Sequence, residues 1–191
     1  MAQNISVDLK DDASAVVPMV PEMVSIKHPL ERPWSIWYNS NDKKNWEDCL
    51  IELTTFDTVE DYWCLYHHML LPSELRQGQD YAVFKQGVRP MWEDSNNVSG
   101  GRWVIMAENL HHLNAIWLDI VLLLIGENFE NMDMISGVIV NVRFRSKVVI
   151  WTTNKSREEN IKIAKKVKNT IAIRRKFDFQ AHNASKILFS L

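Results

Sequence analysis

Val138-Ile139-Val140-Asn141-Val142-Arg143-Phe144-Arg145-Ser146-Lys147-Val148-Val149-Ile150-Trp151 decides the fold. The stretch contains no glycine and reads as two strands around Ser146-Lys147. Successive side chains of a strand point to opposite faces. Val138, Val140, Val142 and Phe144 therefore face one way, and Ile139, Asn141, Arg143 and Arg145 face the other. Arg143, Arg145 and Lys147 project from one edge of the strand pair, where arginine can fork phosphate oxygens and lysine adds a point charge. A solvated outer sheet face is the plain alternative for these three cations. Trp151, at the end of the return strand, sets an aromatic ring near them.

Outward from this hairpin, Trp34-Ser35-Ile36-Trp37-Tyr38 predicts a strand with Trp34, Ile36 and Tyr38 on one face. A polar loop from Asn39 to Asn45 leads to Trp46, and a second strand is expected from Leu50 to Thr54. Asp57-Thr58-Val59-Glu60 predicts a helix capped by Asp57 and Glu60 that runs to about Leu71, ahead of Pro72. Tyr81 to Lys85 and Arg102 to Met106 read as strands on either side of a turn-rich loop that holds Trp92. Asn114 to Asn128 predicts a helix that is apolar on nearly every side. Ser156-Arg157-Glu158-Glu159 predicts a capping box for a third helix, buried along Ile161, Ala164, Val167 and Ile171. Strands near Lys176 to Gln180 and Ile187 to Phe189 close the chain. Strands outnumber helices and do not alternate with them singly. That pattern predicts an α+β fold: a curved antiparallel sheet with three helices packed on one face. Residues 1–27 read as a disordered tail and residues 28–191 as one domain.

A chain of 191 residues can bury one sizeable core. Its net charge of -2 argues against a non-specific nucleic-acid binder coated in cation, so an anion site must be a local patch. Cys49 and Cys64 fit a reducing compartment and no disulfide framework. The start of the chain reads as no signal peptide, and Ile120 to Ile125 is too short to span a bilayer, which predicts a cytosolic or nuclear protein free of membranes. The adjacent pairs His67-His68 and His111-His112 point to different helix faces, and neither reads as a metal site. No phosphate-binding glycine loop, nucleophile elbow or metal motif is present, so neither catalysis, a cofactor nor a metal is expected.

Eight tryptophans are present. Trp34, Trp37, Trp103 and Trp117 lie in apolar or alternating segments and are expected in the core. Trp46 and Trp92 stand at loops, each followed by Glu-Asp. A flat aromatic stacks on a flat ring, and a neighbouring carboxylate accepts paired N–H donors; guanine offers both.

His28-Pro29-Leu30, Phe56-Asp57-Thr58-Val59-Glu60-Asp61-Tyr62-Trp63, Pro90-Met91-Trp92-Glu93-Asp94, Gly100-Gly101-Arg102-Trp103, Val140-Asn141-Val142-Arg143 and Ile150-Trp151-Thr152-Thr153 resemble the eukaryotic translation initiation factor 4E family, whose members bind the messenger-RNA cap. The likeness runs from about His28 to His182. It implies three helices on the convex face of the sheet and a cap site on the concave side. By resemblance, Trp46 and Trp92 sandwich 7-methylguanine, Glu93 accepts the ring's N–H donors, Trp151 lies against the methyl group, and Glu47 stays in solvent. Arg143 and Lys147 resemble the phosphate ligands, with Arg145 at a third basic position and Arg102 beside the phosphate path. His28, Pro29, Val59, Trp63, Leu118, Asp119 and Leu122 resemble a second surface. In the family that surface receives a scaffold initiation factor, and inhibitors carrying a helix with a tyrosine and a leucine–hydrophobic pair. The resemblance implies a monomeric cytoplasmic protein of translation initiation; the alternative is a repressor-type relative that sequesters caps or partners. The chain departs from the family in a hairpin one residue tighter between Arg143 and Trp151, in a short stretch after His182 in which Ser185 does not match the family's regulatory serine, and in Asp119 where a glutamate is common.

Overall fold

The computed structural model describes residues 26–43, 45–171, 173, 175–184 and 186–191, with Trp46 described by its backbone alone. The expected tail lies outside these residues except for Ile26 and Lys27, and Ser185 also lies outside them. Eight strands form one sheet in the order β2-β1-β3-β5-β6-β4-β7-β8, and every neighbouring pair is antiparallel. The strands are β1 (Pro29–Asn39), β2 (Leu50–Thr58), β3 (Asp80–Lys85), β4 (Gly101–Met106), β5 (Ile135–Asn141), β6 (Lys147–Thr152), β7 (Asp178–Ala181) and β8 (Ile187–Ser190). The helices are α1 (Trp46–Cys49), α2 (Val59–His68), α3 (Leu110–Ile125) and α4 (Arg157–Ile171). The three long helices bear out the expected α+β sheet, and α1 is a single turn that the sequence did not announce.

The 138–151 stretch forms the hairpin β5–β6, with Val138 opposite Ile150, Val140 opposite Val148 and Asn141 opposite Lys147. Alternation then gives each strand two sides. Trp34 and Ile36 of β1, Tyr81 and Val83 of β3, Trp103 and Ile105 of β4, Val138 and Val140 of β5, Val148 and Ile150 of β6 and Phe179 of β7 bury against Tyr62 of α2, Ile116 and Ile120 of α3 and Ile163 and Val167 of α4. Their intervening neighbours Trp37, Ala82, Phe84, Val149 and Trp151 form a smaller cluster on the opposite face. Trp37, expected in the main core, belongs to this second face; it is one residue out of phase with Trp34 and Ile36.

Several expected boundaries move, each for a local reason. β2 continues to Thr58 because β1 pairs with it as far as Pro29 opposite Thr58. Thr58, not Asp57, caps α2: its Oγ1 accepts the Asp61 N–H at 3.1 Å, while Glu60 bonds His28. α2 stops at His68, where Met69 turns extended ahead of a 3-10 turn at Pro72–Glu74. α3 begins at Leu110, earlier than expected, because the Asn109 side chain accepts the His112 N–H and caps it. The expected box at Ser156 is not made by Glu159, whose carboxylate takes Asn131 and Lys162. The buried side of α4 is Asn160, Ile163, Ala164 and Val167, with Ile161 and Ile171 partly buried at its flanks. Phe144 does not join Val142 on the core face: β5 ends at Asn141, and Phe144 is 92% exposed on the turn.

Gly101 opens β4 between β6 and β7, where a Cβ atom would stand 2.4 Å from the Phe179 ring and 2.7 Å from the Gln180 carbonyl oxygen. Only a bare Cα lets three strands meet there and aim the next residue, Arg102, at the face opposite α2, α3 and α4. Gly101→Ala is expected to cost about 1–3 kcal/mol of stability through overpacking, measured by urea denaturation.

Candidate functional site

The face opposite α2, α3 and α4 holds a cleft of about 580 Å³. Trp37, Ala82, Ile139, Val149 and Trp151 floor it from β1, β3, β5 and β6. Asn45 at the start of α1 and Glu47 within it form one rim, and Pro90, Trp92 and Glu93 of the β3–β4 loop form another. Arg102, Arg143, Lys147, Asp80, Asn141 and His182 make the polar end.

The β3–β4 loop is short of regular structure yet firmly tied. Its Asp94 carboxylate accepts N–H bonds from Arg89 at 3.0 Å and Asn96 at 2.9 Å. Partial burial pushes the Asp94 carboxyl upward, but these donors outweigh it and hold the group below its usual range. The fully buried Asn97 donates its side-chain N–H groups to the carbonyls of Arg89 at 2.9 Å and Met91 at 2.8 Å. With Met91 buried, these bonds leave the next two residues pointing outward: Trp92 is 47% exposed and Glu93 is exposed.

Trp151 is buried in the floor, edge-on to Phe84 at 5.7 Å and stacked on the His182 ring at 4.0 Å and 28°. His182 shares a 3.2 Å hydrogen bond with the Thr152 carbonyl, and its own carbonyl accepts Arg102 Nη1 at 3.2 Å. Burial is the main cause that lowers the His182 pKa to about 4, so the ring is neutral at pH 7. Arg143 forks Asp80 through Nη1 at 2.7 Å and Nη2 at 3.0 Å. Burial pushes the Lys147 ammonium downward, the nearby Arg102 and Arg143 push it the same way, and Asp80 only partly offsets them. Burial also lowers Arg102. Both shifts come mainly from burial, and a bound anion would favour the charged forms.

Of the residues singled out in the sequence, Trp92, Glu93, Trp151, Arg102, Arg143 and Lys147 converge on this cleft. The Trp46 side chain lies outside the described residues; its backbone starts α1 on the rim. Glu47 is exposed, as expected, and stands at the rim. Arg145 is not brought into the cleft: with β5 ended at Asn141, the turn carries Arg145 over the edge into a neighbouring depression. The sequence reading missed Asp80, His182, Asn97 and the floor position of Trp37. Asp80 had a signal, since a carboxylate opening a strand beside a basic hairpin is a natural arginine partner. The stacking of His182 on Trp151 had none, because it depends on strand order.

The second group of expected residues lies on the helix side. Val59 is 36% exposed, and Trp63 packs on Tyr62, Tyr66 and His67 and is partly buried. Leu118 and Leu122 are partly buried on α3 and Asp119 is exposed. His28 is strapped to α2 by its N–H to Glu60 at 2.8 Å, its ring to the same carboxylate at 2.6 Å, and its carbonyl to the Val59 N–H at 2.9 Å. The His28 hydrogen bonds lower Glu60 to about 2. Among the described residues no group of three or more His, Cys, Asp or Glu side chains is placed to hold a metal ion, and no helix is long and apolar enough to cross a membrane.

A family model described as eukaryotic initiation factor 4E matches residues 29–188. Eukaryotic translation initiation factor 4E1 of Drosophila melanogaster is 44% identical over 168 residues, which cover 84% of this chain and 65% of the fly protein. Eukaryotic translation initiation factor 4E of Aplysia californica is 45% identical over 172 residues, covering 85% of this chain and 80% of its own length. Among solved structures, Ascaris suum eIF4E-3 with an m2,2,7G cap superposes with a TM-score of 0.82 at 38% identity, covering 87% of this chain and 99% of that one. The complex of Caenorhabditis elegans eIF4E-3 with the 4E-binding protein Mextli and a cap analog matches at the same TM-score of 0.82 and 38% identity, covering 87% of this chain and 100% of that one.

The depressed His182 pKa gives stability a sign with pH. The folded state prefers the neutral ring and the unfolded chain, with a histidine near 6.5, binds the proton first. The His182 contribution is therefore complete above about pH 6.5 and is lost as pH falls toward 4. Melting temperatures at pH 7 and pH 5 are expected to differ more in the parent chain than in His182→Gln.

Proposed function

The chain belongs to the eukaryotic initiation factor 4E family, and we propose that its cleft, on the sheet face opposite α2, α3 and α4, binds the 7-methylguanosine cap of messenger RNA while the face of α2 and α3 engages a scaffold protein of translation initiation. The observation that carries this reading is the meeting, in one cleft, of an exposed indole, an adjacent carboxylate and three cations. Relatives solved with cap analogs and with 4E-binding proteins support it.

Methylation at N7 makes the guanine ring cationic, so an indole face attracts it as a cation as well as a flat ring. Trp92 supplies one such face, and Trp46, on the opposing rim, supplies the other. Glu93 accepts the paired N–H donors of the guanine edge; charge-assisted bonds of this kind contribute about 1.5–3 kcal/mol. Trp151, locked between Phe84 and His182, closes the floor beside the methyl group. The triphosphate runs to Arg102, Arg143 and Lys147. Arg143 exchanges part of its Asp80 fork for phosphate oxygens, and Asp80 keeps the guanidinium oriented meanwhile. Unmethylated guanine loses the charge attraction, which makes the methyl group the specificity element. Binding and hand-over, without bond chemistry, make the chain a binding factor and not an enzyme, at work in the cytoplasm.

On the helix side, Val59, Trp63, Leu118 and Leu122 offer an apolar strip for the hydrophobic face of a partner helix, with Asp119 for a cation on it. The His28–Glu60 strap holds His28 and Pro29 at the edge of that strip.

The protein is expected to stay on 7-methyl-GTP resin, to elute with 7-methyl-GTP and to resist elution by GTP. Trp92→Ala is expected to lose about 1–3 kcal/mol of stacking, or roughly fivefold to 150-fold in affinity; unchanged retention would contradict the assignment. Trp63→Ala is expected to leave retention intact while weakening capture of a helical peptide with the tyrosine and leucine–hydrophobic pair, by about 2 kcal/mol as for a buried interface anchor.

A further inference from the structure

The turn of the β5–β6 hairpin carries an aromatic and a cation that cap binding leaves unused. Arg143 lines the cleft and also lines a neighbouring depression of about 660 Å³, which contains Phe144, Arg145, Leu110 and Arg175. A single exposed apolar side chain needs no explanation. Phe144 is more than that, because it is 92% exposed between two arginines on a turn that is tied at both ends. The buried Ser146 accepts the Arg143 N–H at 3.2 Å, donates to the Arg143 carbonyl at 3.0 Å, and offers its own carbonyl to the Ala107 N–H of the β4 end at 3.0 Å. The ring is thus presented to water by a fixed backbone. Arg175 is engaged with Glu108 at 3.0 Å, whereas Arg145 has no acidic partner within ion-pair distance among the described residues.

We propose that this depression receives the nucleotide that follows the cap, with its base stacked on Phe144 and its 3′ phosphate held by Arg145. The proposal rests on the cap reading, which puts the triphosphate along Arg102, Lys147 and Arg143. Past Arg143 the chain of phosphates has to deliver a ribose and a base, and the shared arginine leads directly into the depression. Aromatic stacking accepts any base, so the site adds affinity for capped RNA without sequence preference. The free cation Arg145 adds a salt-dependent increment.

The test compares the full chain and two variants, Phe144→Ala and Phe144→Trp, by fluorescence titration with 7-methyl-GTP and with a short capped oligoribonucleotide. The parent chain is expected to bind the capped oligonucleotide more tightly than 7-methyl-GTP. Phe144→Ala is expected to bind 7-methyl-GTP as the parent does and to lose about fivefold or more on the oligonucleotide. Phe144→Trp is expected to keep the gain. If the parent chain binds 7-methyl-GTP but gains nothing from the added nucleotides, or if the gain survives Phe144→Ala, the second site is overturned and the cap reading stands. If the parent chain fails to bind 7-methyl-GTP, the cap reading falls and the second site falls with it.

Discussion

Side chains that alternate across a pleated sheet, with each face given separate work, are the constraint on which the molecule depends. On β1, β3, β4, β5 and β6 one set of residues meets α2, α3 and α4 in a closed apolar layer. The interleaved set builds the floor and polar end of the cleft. A slip of one residue in β6 would send Trp151, Val149 and Lys147 into the helix layer and bring Val148 and Ile150 to the cleft. The stability of the core therefore fixes the placement of the site. The alternation alone aims Lys147, and it aims Arg102 together with the bare Cα of Gly101, because Trp103 and Val148, their neighbours in sequence, are fully buried on the other side.

Within the cleft, the ends differ in how they are prepared. The apolar end is rigid: Trp151 is clasped by Phe84 and His182, and the Trp92 loop is stapled by Asp94 and Asn97. The polar end is charged and under-compensated, with Asp80 the one carboxylate that bonds a cation there among the described residues. A rigid stacking site lowers the ordering cost of binding a flat ring. In the proposed reading, a cation cluster with part of its charge unanswered receives the cap's phosphates. The neutral His182 contributes on both counts, since its ring braces Trp151 and its carbonyl holds Arg102.

Much of this was legible in the residues themselves. The valine-rich hairpin announces an antiparallel sheet, and its odd and even positions separate core from cations by alternation alone. What stayed hidden depends on contacts between distant segments. Trp37 belongs to the cleft floor because it is out of phase with Trp34, a distinction that an apolar-looking segment with tryptophans on both sides conceals. Arg145 was counted with Arg143 by extending the strand through the turn; the ladder ends at Asn141, and Ser146 closes the turn instead. Helix starts were misplaced by one residue at Thr58 and by several at Asn109, since more than one polar residue could serve as cap. The loop tryptophan and carboxylate at Trp92 and Glu93 were found by residue type, but the reason they project from the loop lies in Asp94 and Asn97.

The eight tryptophans allow the central claim to be tested residue by residue, because each indole N–H gives its own signal in a proton–nitrogen correlation spectrum. Addition of 7-methyl-GTP to the nitrogen-15-labelled chain is predicted to move the signals of Trp46, Trp92 and Trp151, with Trp37 following from the floor, and to leave Trp34, Trp63, Trp103 and Trp117 in place. A spectrum in which Trp92 and Trp151 stay still, or in which Trp63 moves instead, would contradict the placement of the cap in this cleft.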